Sequence, residues 1–397
     1  MMQDALVPDG VVERFGKFTA VDGIVLGRIL SFVPRFTPFF MINRISSALP
    51  PGRSMGSESR EATMRRTVLS VFGVLLAAAA AAPAEAVPPL AQTIRPVSTY
   101  SIVARDPETG HMGVAVQSHW FSVGTSVAWA EAGVGAVATQ SFTDVSYGPL
   151  GLEMLRAGRD PEAVLSALIA ADPAPQVRQV AVVDARGRSA AHTGSGCIPE
   201  AGHRLGDGYS VQANLMERDT VPDAMAEAFE GASGELAERL LAALEAAQRE
   251  KGDIRGRQSS CVLVVAAEAT GRPWEDRIVD LRVEDHPEPV VELQRLLSLH
   301  RAYEHMNEGD RAIERGDTEA ARREYGAAEA RAPGNPEMAY WHAVALANAG
   351  ELDLALPVFE RVFAGGANWV ELTPRLVEAD ILAVDAEGLA RILDRAP

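Results

Sequence analysis

Between Thr99 and about residue 285 the hydrophobic period of the chain changes several times, and the order of those changes restricts the folds open to it. The stretch opens on β-rich, alternating segments: "TYSIVARD", a Pro-Glu-Thr-Gly turn, "HMGVAVQS", then "TSVAWA" and "GAVATQS" around "EAGVG". Alternation of period two marks strands that turn one face to a core. "SYGPLGLEMLRAG" and "DPEAVLSALIAAD" read as helices, the second with Asp160 at its N-cap and Pro161 at its first position. "RQVAVVD" and "SAAHTG" form a hairpin around "ARGR", "SGCIPEAGHRLGDG" reads as a glycine-rich loop, and "YSVQANL" as a strand. A helix from Thr220 and Pro222 through Phe229 and an amphipathic one in "GELAERLLAALEAAQRE" follow. "SSCVLVVAAE" is a strand apolar on both faces, and "DRIVDLRV" closes the region. Strands, two helices, strands, two helices and strands give an α+β order. Two mostly antiparallel sheets covered by helices are expected, and the alternation of a βαβ fold is not present.

From residue 286 to 397 the pattern is wholly helical and repeats. Gly316-Asp317 recurs as Gly350-Glu351, Ala321 as Ala355 and Tyr325 as Phe359, each at an offset of 34 residues. That is the tetratricopeptide period, with small residues where paired helices approach and an aromatic at the later packing position. Two such repeats are too few for an independent solenoid. The tail is therefore expected to pack on the main domain or on another subunit, as a homo-oligomer or with a protein partner.

The segment "MRRTVLSVFGVLLAAAAAAPAEAVPPLAQ" has the three parts of a secretion signal. Arg65 and Arg66 supply the charge, Val68 to Ala82 an apolar run, and Ala84-Glu85-Ala86 a small-x-small cleavage site. The run falls short of the roughly twenty residues that span a bilayer. Residues 64–86 are thus read as a signal peptide, 1–63 as an upstream leader with the true start at Met64 or Met55, and 87–98 as a lead-in. The mature protein is expected to be secreted or periplasmic, with no membrane association after signal removal.

A formal charge of −17 argues against nucleic acid or anionic lipid as the main partner, because phosphate binding needs a basic face. Cys197 and Cys261 form one disulfide or are two small buried side chains. No phosphate loop, dinucleotide fingerprint, zinc-protease helix or C-x-x-C pair occurs, and "TGSGC" has the wrong spacing for a nucleophile elbow. The eight histidines are scattered. No metal and no cofactor is expected.

One feature carries chemistry. Thr99 opens the first core strand about a dozen residues beyond the cleavage site. As the chain terminus it would supply a hydroxyl and, in its own α-amine, a base that titrates at about 7.7–8.0. The alternative is an ordinary first-strand threonine. Ser101, two residues on and on the same face, is the fallback nucleophile. Ser118 ends the second strand and in a hairpin would face the start of the first. Gln140, Asp144 and Asn214 lie at or beyond strand ends, where functional side chains emerge. Arg255 and Arg257 in "RGRQS" make a basic spot suited to a substrate carboxylate, or a solvated loop. His192 and His203 flank the glycine-rich loop as anchors, and Trp120 and Phe121 at a strand end are expected to pack.

From Thr99 to about Val265 the sequence resembles the bacterial domain of unknown function 1028 family, related to the Ntn (N-terminal nucleophile) hydrolases. The resemblance lies in "TYSIVARDPETG", "GVAVQS", "AGVGAVATQS", "YGPLGLEMLRAG", "RQVAVVDARGR", "TGSGC", "GYSVQANL" and "RGRQSSCVLVV". It implies a four-layer αββα sandwich over residues 99–285, followed here by the tetratricopeptide-like tail of 286–397. It also implies acyl transfer through Thr99 on a small amide or peptide-like substrate. Thr99 of the "TYSIVARD" motif follows the initiator Met in that family. Here signal cleavage leaves Val87 at the terminus, and a second cut between Ser98 and Thr99 is required. Thr99, Ser101, Ser118 and Asn214 are the catalytic candidates; Gln140, Asp144 and Arg257 are the substrate-binding ones. The rival expectation is a non-catalytic exported module that binds a ligand or serves a structural role.

Overall fold

The computed structural model describes residues 99–397; the signal-like segment, the upstream leader and the lead-in lie outside the described residues. The first strand, β1 (Thr99–Arg105), forms a hairpin with β2 (Met112–Ser118) across the Pro-Glu-Thr-Gly turn. Asp106 closes that turn by accepting from the amides of Glu108 and Thr109 at 2.8 and 3.1 Å. β3 (Ala128–Glu131) and β4 (Gly135–Ser141) start a second sheet. Two helices follow, α1 (Tyr147–Arg156) and α2 (Pro161–Ala171). The Asp160 carboxylate caps α2 by accepting from Ala163 N at 2.8 Å, as its position before Pro161 predicts. β5 (Arg178–Asp184) and β6 (Ser189–Thr193) complete this sheet in the order β3-β4-β5-β6.

The remaining strands are β7 (Gly202–Gly206), β8 (Tyr209–Ala213), β9 (Ser259–Val265) and β10 (Arg277–Val283), with α3 (Val221–Gly231) and α4 (Leu236–Arg249) between β8 and β9. They join the first hairpin in a six-stranded sheet of order β10-β9-β2-β1-β8-β7. All named strand pairs are antiparallel.

Strand alternation sorts the side chains into layers. Tyr100, Ile102 and Ala104 of β1 pack with Leu240 and Leu244 of α4. Val103 points the other way, into a core shared with Ala136 and Ala138 of β4 and Ala181 and Val183 of β5. Val137, Val180 and Val182 face Leu152 of α1 and Val164 of α2. The two sheets therefore meet face to face, with helices on the outer face of each. This mixed α+β arrangement with antiparallel sheets is the one expected from the order of periods.

Two local readings need correction. "TSVAWA" is not one strand: Gly124–Val127 makes a helical turn before β3 begins. The turn brings Val123 and Val127, four residues apart, onto one face, and both are fully buried between the sheets. Gly124 passes so close to Cys261 that an added Cβ would lie 2.7 Å from its Cβ. Nor is "SGCIPEAGHRLGDG" all loop. Its second half is β7, joined to β8 by the two-residue turn Asp207-Gly208, with Gly208 at φ +76°. Asp-Gly is among the strongest short hairpin signals.

The C-terminal region is helical: α5 (Pro289–Glu314), α6 (Thr318–Arg331), α7 (Pro336–Asn348), α8 (Leu352–Phe363), α9 (Ala367–Glu378) and α10 (Ala386–Leu393). Asp317, Glu351 and Asp385, spaced by 34, are the N-caps of α6, α8 and α10. Gly316 and Gly350 both hold positive φ, Ala321 and Ala355 are fully buried, and Tyr325 and Phe359 are buried. The spacing thus continues into a third helix pair, where Leu389 and Leu393 replace the alanine and the aromatic. The helical region begins inside the preceding core: Val290, Leu293 and Leu297 of α5 are buried with residues of α4 and β9. Arg301, almost fully buried, holds Glu238 of α4 at 3.0 Å.

Candidate functional site

Between the sheets the side chains turn from apolar to polar toward one end. Val103, Val114 and Ala181 occupy the apolar part. At the other end stand Thr99 and Ser101 of β1, Gln140 of β4, Gln179 of β5, Gln212 of β8 and Asn214 just after β8, each fully buried. The same alternation that puts valines in the core puts these residues on the inner face, because they lie an even number of positions away.

Buried amides and hydroxyls must find partners, and these find one another. Ser101 Oγ donates to Gln140 Oε1 at 2.6 Å and accepts from Gln212 Nε2 at 2.5 Å. Gln140 Nε2 donates to Gln179 Oε1 at 2.7 Å, and Asn214 Nδ2 donates to the same oxygen at 2.8 Å. Gln179 Nε2 reaches Ala213 O at 2.8 Å and Thr193 Oγ1 at 2.9 Å. The carbonyl of Thr99 accepts from Asn214 N at 3.1 Å, Gln140 Nε2 at 3.2 Å and Asn214 Nδ2 at 3.5 Å. The start of β1 is thus gripped from β4 and from the end of β8.

Ser118 lies directly opposite Thr99 in the β1–β2 register, and Ser259 lies opposite Ser118 in the β2–β9 register. The Ser259 hydroxyl accepts from Val123 N at 3.0 Å and donates to the Trp120 carbonyl. Ser141 and Leu215, which directly follow Gln140 and Asn214, hold φ of +70° and +57°. Left-handed backbone at non-glycine residues is costly, and such strain gathers at functional sites.

Five sequence candidates therefore come together at this end: Thr99, Ser101, Ser118, Gln140 and Asn214. Two do not join them. Asp144 accepts from Ser146 N at 2.9 Å and Ser146 Oγ at 2.6 Å, and so serves the turn into α1. Arg257 pairs with Glu288, and both line a cleft of about 360 Å³ with Gln248 and Val290 on the helical side of the six-stranded sheet. Gln179 and Gln212 join the cluster without standing among the candidates named from the sequence. Their signal was a glutamine inside an otherwise apolar strand, in phase with the buried residues of "RQVAVVD" and "YSVQANL".

His203 Nδ1 on β7 meets Thr193 Oγ1 at the end of β6 at 2.8 Å and so links strands of the two sheets, while His192 Nε2 meets Pro175 O at 3.0 Å and anchors the segment before β5. Partial desolvation, and then the neighbouring His192, lower the affinity of His203 for a proton. Trp120 packs on the inter-sheet core, whereas Phe121 is 64% exposed. Cys197 and Cys261 are free and buried, which removes the disulfide alternative. Burial pushes the Cys261 thiol up to about 12. Among the described residues no group of three or more His, Cys, Asp or Glu is placed to hold a metal ion, and no helix is long and apolar enough to cross a membrane.

Ser101, Gln140, Gln179, Gln212 and Asn214, which are bonded to one another, are all neutral groups. Ser101 is bonded to two glutamines and to neither a carboxylate nor an imidazole. A hydroxyl in that setting has no neighbouring base to take its proton.

A family model described as "Family of unknown function (DUF1028)" matches residues 99–293. The crystal structure of protein SPO2555 from Silicibacter pomeroyi, also assigned to DUF1028, is 32% identical over 50% of this chain and 88% of that one, with a TM-score of 0.45. The chain belongs to the DUF1028 family. No curated protein matches it. The DUF1028 match begins at Thr99, the first residue of β1 and of the polar cluster, and ends at Leu293 inside α5.

Proposed function

We propose that the DUF1028 region is an Ntn-hydrolase-like αββα sandwich that cleaves a small amide or peptide bond through Thr99, in an exported, secreted or periplasmic protein whose tetratricopeptide-like tail binds a second copy or a protein partner. One observation carries the reading. The polar end of the sheet interface gathers around Thr99, and its second hydroxyl, Ser101, is bonded to two glutamines rather than to an acid or a base. A threonine at a chain terminus brings its own base.

Removal of the sequence before Thr99 would free its α-amine. The amine takes the Oγ1 proton as Oγ1 attacks the substrate carbonyl, forming the C–O bond. The negative charge moves to the carbonyl oxygen, and the Asn214 and Gln140 side-chain amides, which reach the Thr99 carbonyl, are the candidate donors to it. Collapse breaks the C–N bond, and the ammonium returns the proton to the leaving amine. Water then hydrolyses the ester at Thr99. Asn214 Oδ1, buried and without a hydrogen-bond partner among the described residues, offers an acceptor for the terminal ammonium.

The second reading is a sandwich that binds or supports without catalysis. It is favoured by the full burial of Thr99, Ser101 and Gln140. N-terminal sequencing and intact mass of the protein from the export compartment decide between the two. A terminus at Thr99, labelled there by an acyl-trapping electrophile, is expected for the enzyme. A terminus at Val87 without labelling would replace it with the binding module.

A further inference from the structure

Gln117 of β2 is fully buried, and neither its amide nitrogen nor its amide oxygen has a hydrogen-bond partner among the described residues. Buried amides are almost always paired, so an orphaned one points to a group that completes it. Register sets its surroundings. Gln117 lies opposite Tyr100 across β1–β2 and opposite Ser260 across β2–β9, and residues directly opposite share a face of the sheet. Tyr100 faces α4, where its hydroxyl donates to Gln248 Oε1 at 3.0 Å. Ser260 Oγ donates to the carbonyl of Pro289, the first residue of α5, at 2.8 Å. Gln117 therefore stands between a residue tied to α4 and a residue tied to α5, with its amide aimed at the gap between the two helices.

That gap opens outward as the cleft of about 360 Å³, a size within the roughly 300–1,000 Å³ of small-molecule sites. Gln248 of α4 and Val290 of α5 stand on its walls. Glu245 and Arg249, also on its α4 side, pair with each other at 3.7 Å. Arg257 and Glu288 pair at its mouth, with side chains 37% and 50% exposed. An ion pair in contact with water contributes little and opens readily. Burial raises the proton affinity of the Tyr100 phenol, Arg257 opposes that, and Asp253 and Glu288 add to it, so both charges of the mouth are felt at the floor beside Gln117. The layout is an unpaired amide at the bottom and one cation with one anion at the top.

We infer that the gap between α4 and α5 is a binding site for a free α-amino acid with a carboxamide side chain, of the size of L-glutamine. The ligand's side-chain amide pairs with the Gln117 amide, each donating one N–H and accepting at one oxygen. Its carboxylate takes Arg257 and its ammonium takes Glu288, which part to admit it. Gln248, bonded to Tyr100 above Gln117, is the side chain that turns aside. The site lies on the opposite face of β1 from Ser101 and does not depend on the reaction at Thr99.

Calorimetry on the full chain compares L-glutamine with L-norleucine, which lacks the amide, L-glutamate, which sets a charge against Gln117, and N-acetyl-L-glutamine, which lacks the ammonium. L-glutamine is expected to bind at least tenfold more tightly than each of the other three. Gln117→Leu is expected to bring glutamine down to the level of norleucine. Because it removes an unpaired buried amide, the same change should leave the urea midpoint unchanged or higher. Where Gln117→Leu does not fold, Gln117→Met keeps the length of the side chain without its amide. The double variant Arg257→Gln/Glu288→Gln is expected to weaken glutamine at least tenfold and to keep its advantage over norleucine. No binding of glutamine, the result for an amide completed by buried water alone, overturns the inference. Equal binding of norleucine, a preference that survives the loss of Gln117, or a double variant that binds as tightly as the unaltered chain does the same.

Discussion

Asn214 binds Thr99 twice: its backbone amide and its side-chain amide both reach the Thr99 carbonyl, at 3.1 and 3.5 Å. The side chain also donates to Gln179 at 2.8 Å. Asn214→Leu removes those side-chain bonds and leaves Gln179 Oε1 with one donor fewer. Stability is expected to fall by about 1–3 kcal/mol, read as a lower urea midpoint at unchanged m-value. Asn214→Asp, which adds a buried charge, should cost more than Asn214→Leu; the opposite order would show that the amide network contributes little.

Gln179 is the hub of the cluster. Replacement by Leu keeps much of its volume but leaves amide donors of Gln140 and Asn214 without their acceptor. Each buried unsatisfied group costs about 1–3 kcal/mol, so Gln179→Leu is expected to exceed Thr193→Val, which removes two bonds nearer the exposed edge. Chemical denaturation of the two variants gives the comparison.

The two thiols should be silent in the native protein. Burial raises the proton affinity of both, and for Cys261 a value near 12 leaves almost no thiolate at pH 8. A thiol-disulfide reagent is expected to find no thiol before unfolding and two after it in guanidinium. Fast labelling of Cys261 without denaturant would contradict its position between the sheets.

Acid should loosen the four-stranded side first. Burial alone would raise the pKa of Asp172, but hydrogen bonds from Arg178, the Ala174 amide and Tyr147 outweigh it and hold the carboxyl below its usual value. A depressed carboxyl stabilises the fold above its unfolded pKa, and that contribution is lost as pH falls through the lower, folded value. Asp172→Asn should therefore lower Tm at pH 7 and flatten its decline below about pH 4, near the ordinary carboxylate range. Parallel Tm-against-pH curves for the two proteins would discount the pair.

How far the sequence is readable follows from how local each signal is. The Asp160-Pro161 start of α2, the buried run of β9 and the 34-residue offset are set by neighbours in the chain, and each stands where expected. β7 was hidden because glycines and charges outnumber its apolar residues; it exists through pairing with β8 and the turn at Gly208. Thr99, Ser118 and Asn214 were legible as strand-end residues. Gln179 and Gln212 became visible as site residues only when the facing of the two sheets set them beside Gln140 and Ser101. Asp144 and Arg257 look like their neighbours in sequence, and tertiary partners, Ser146 and Glu288, decide their place.

The long helix α5 has a consequence for how the molecule comes apart. Its first half closes the core over α4 and β9, and its second half begins the first of the tail's helix pairs. A fragment ending at Leu293, where the family match stops, would lose Leu297 and the Arg301–Glu238 contact and bare an apolar strip on α4. The two regions share one rod rather than a hinge, so strain applied to the tail is delivered to the layer of helices that lies behind β1.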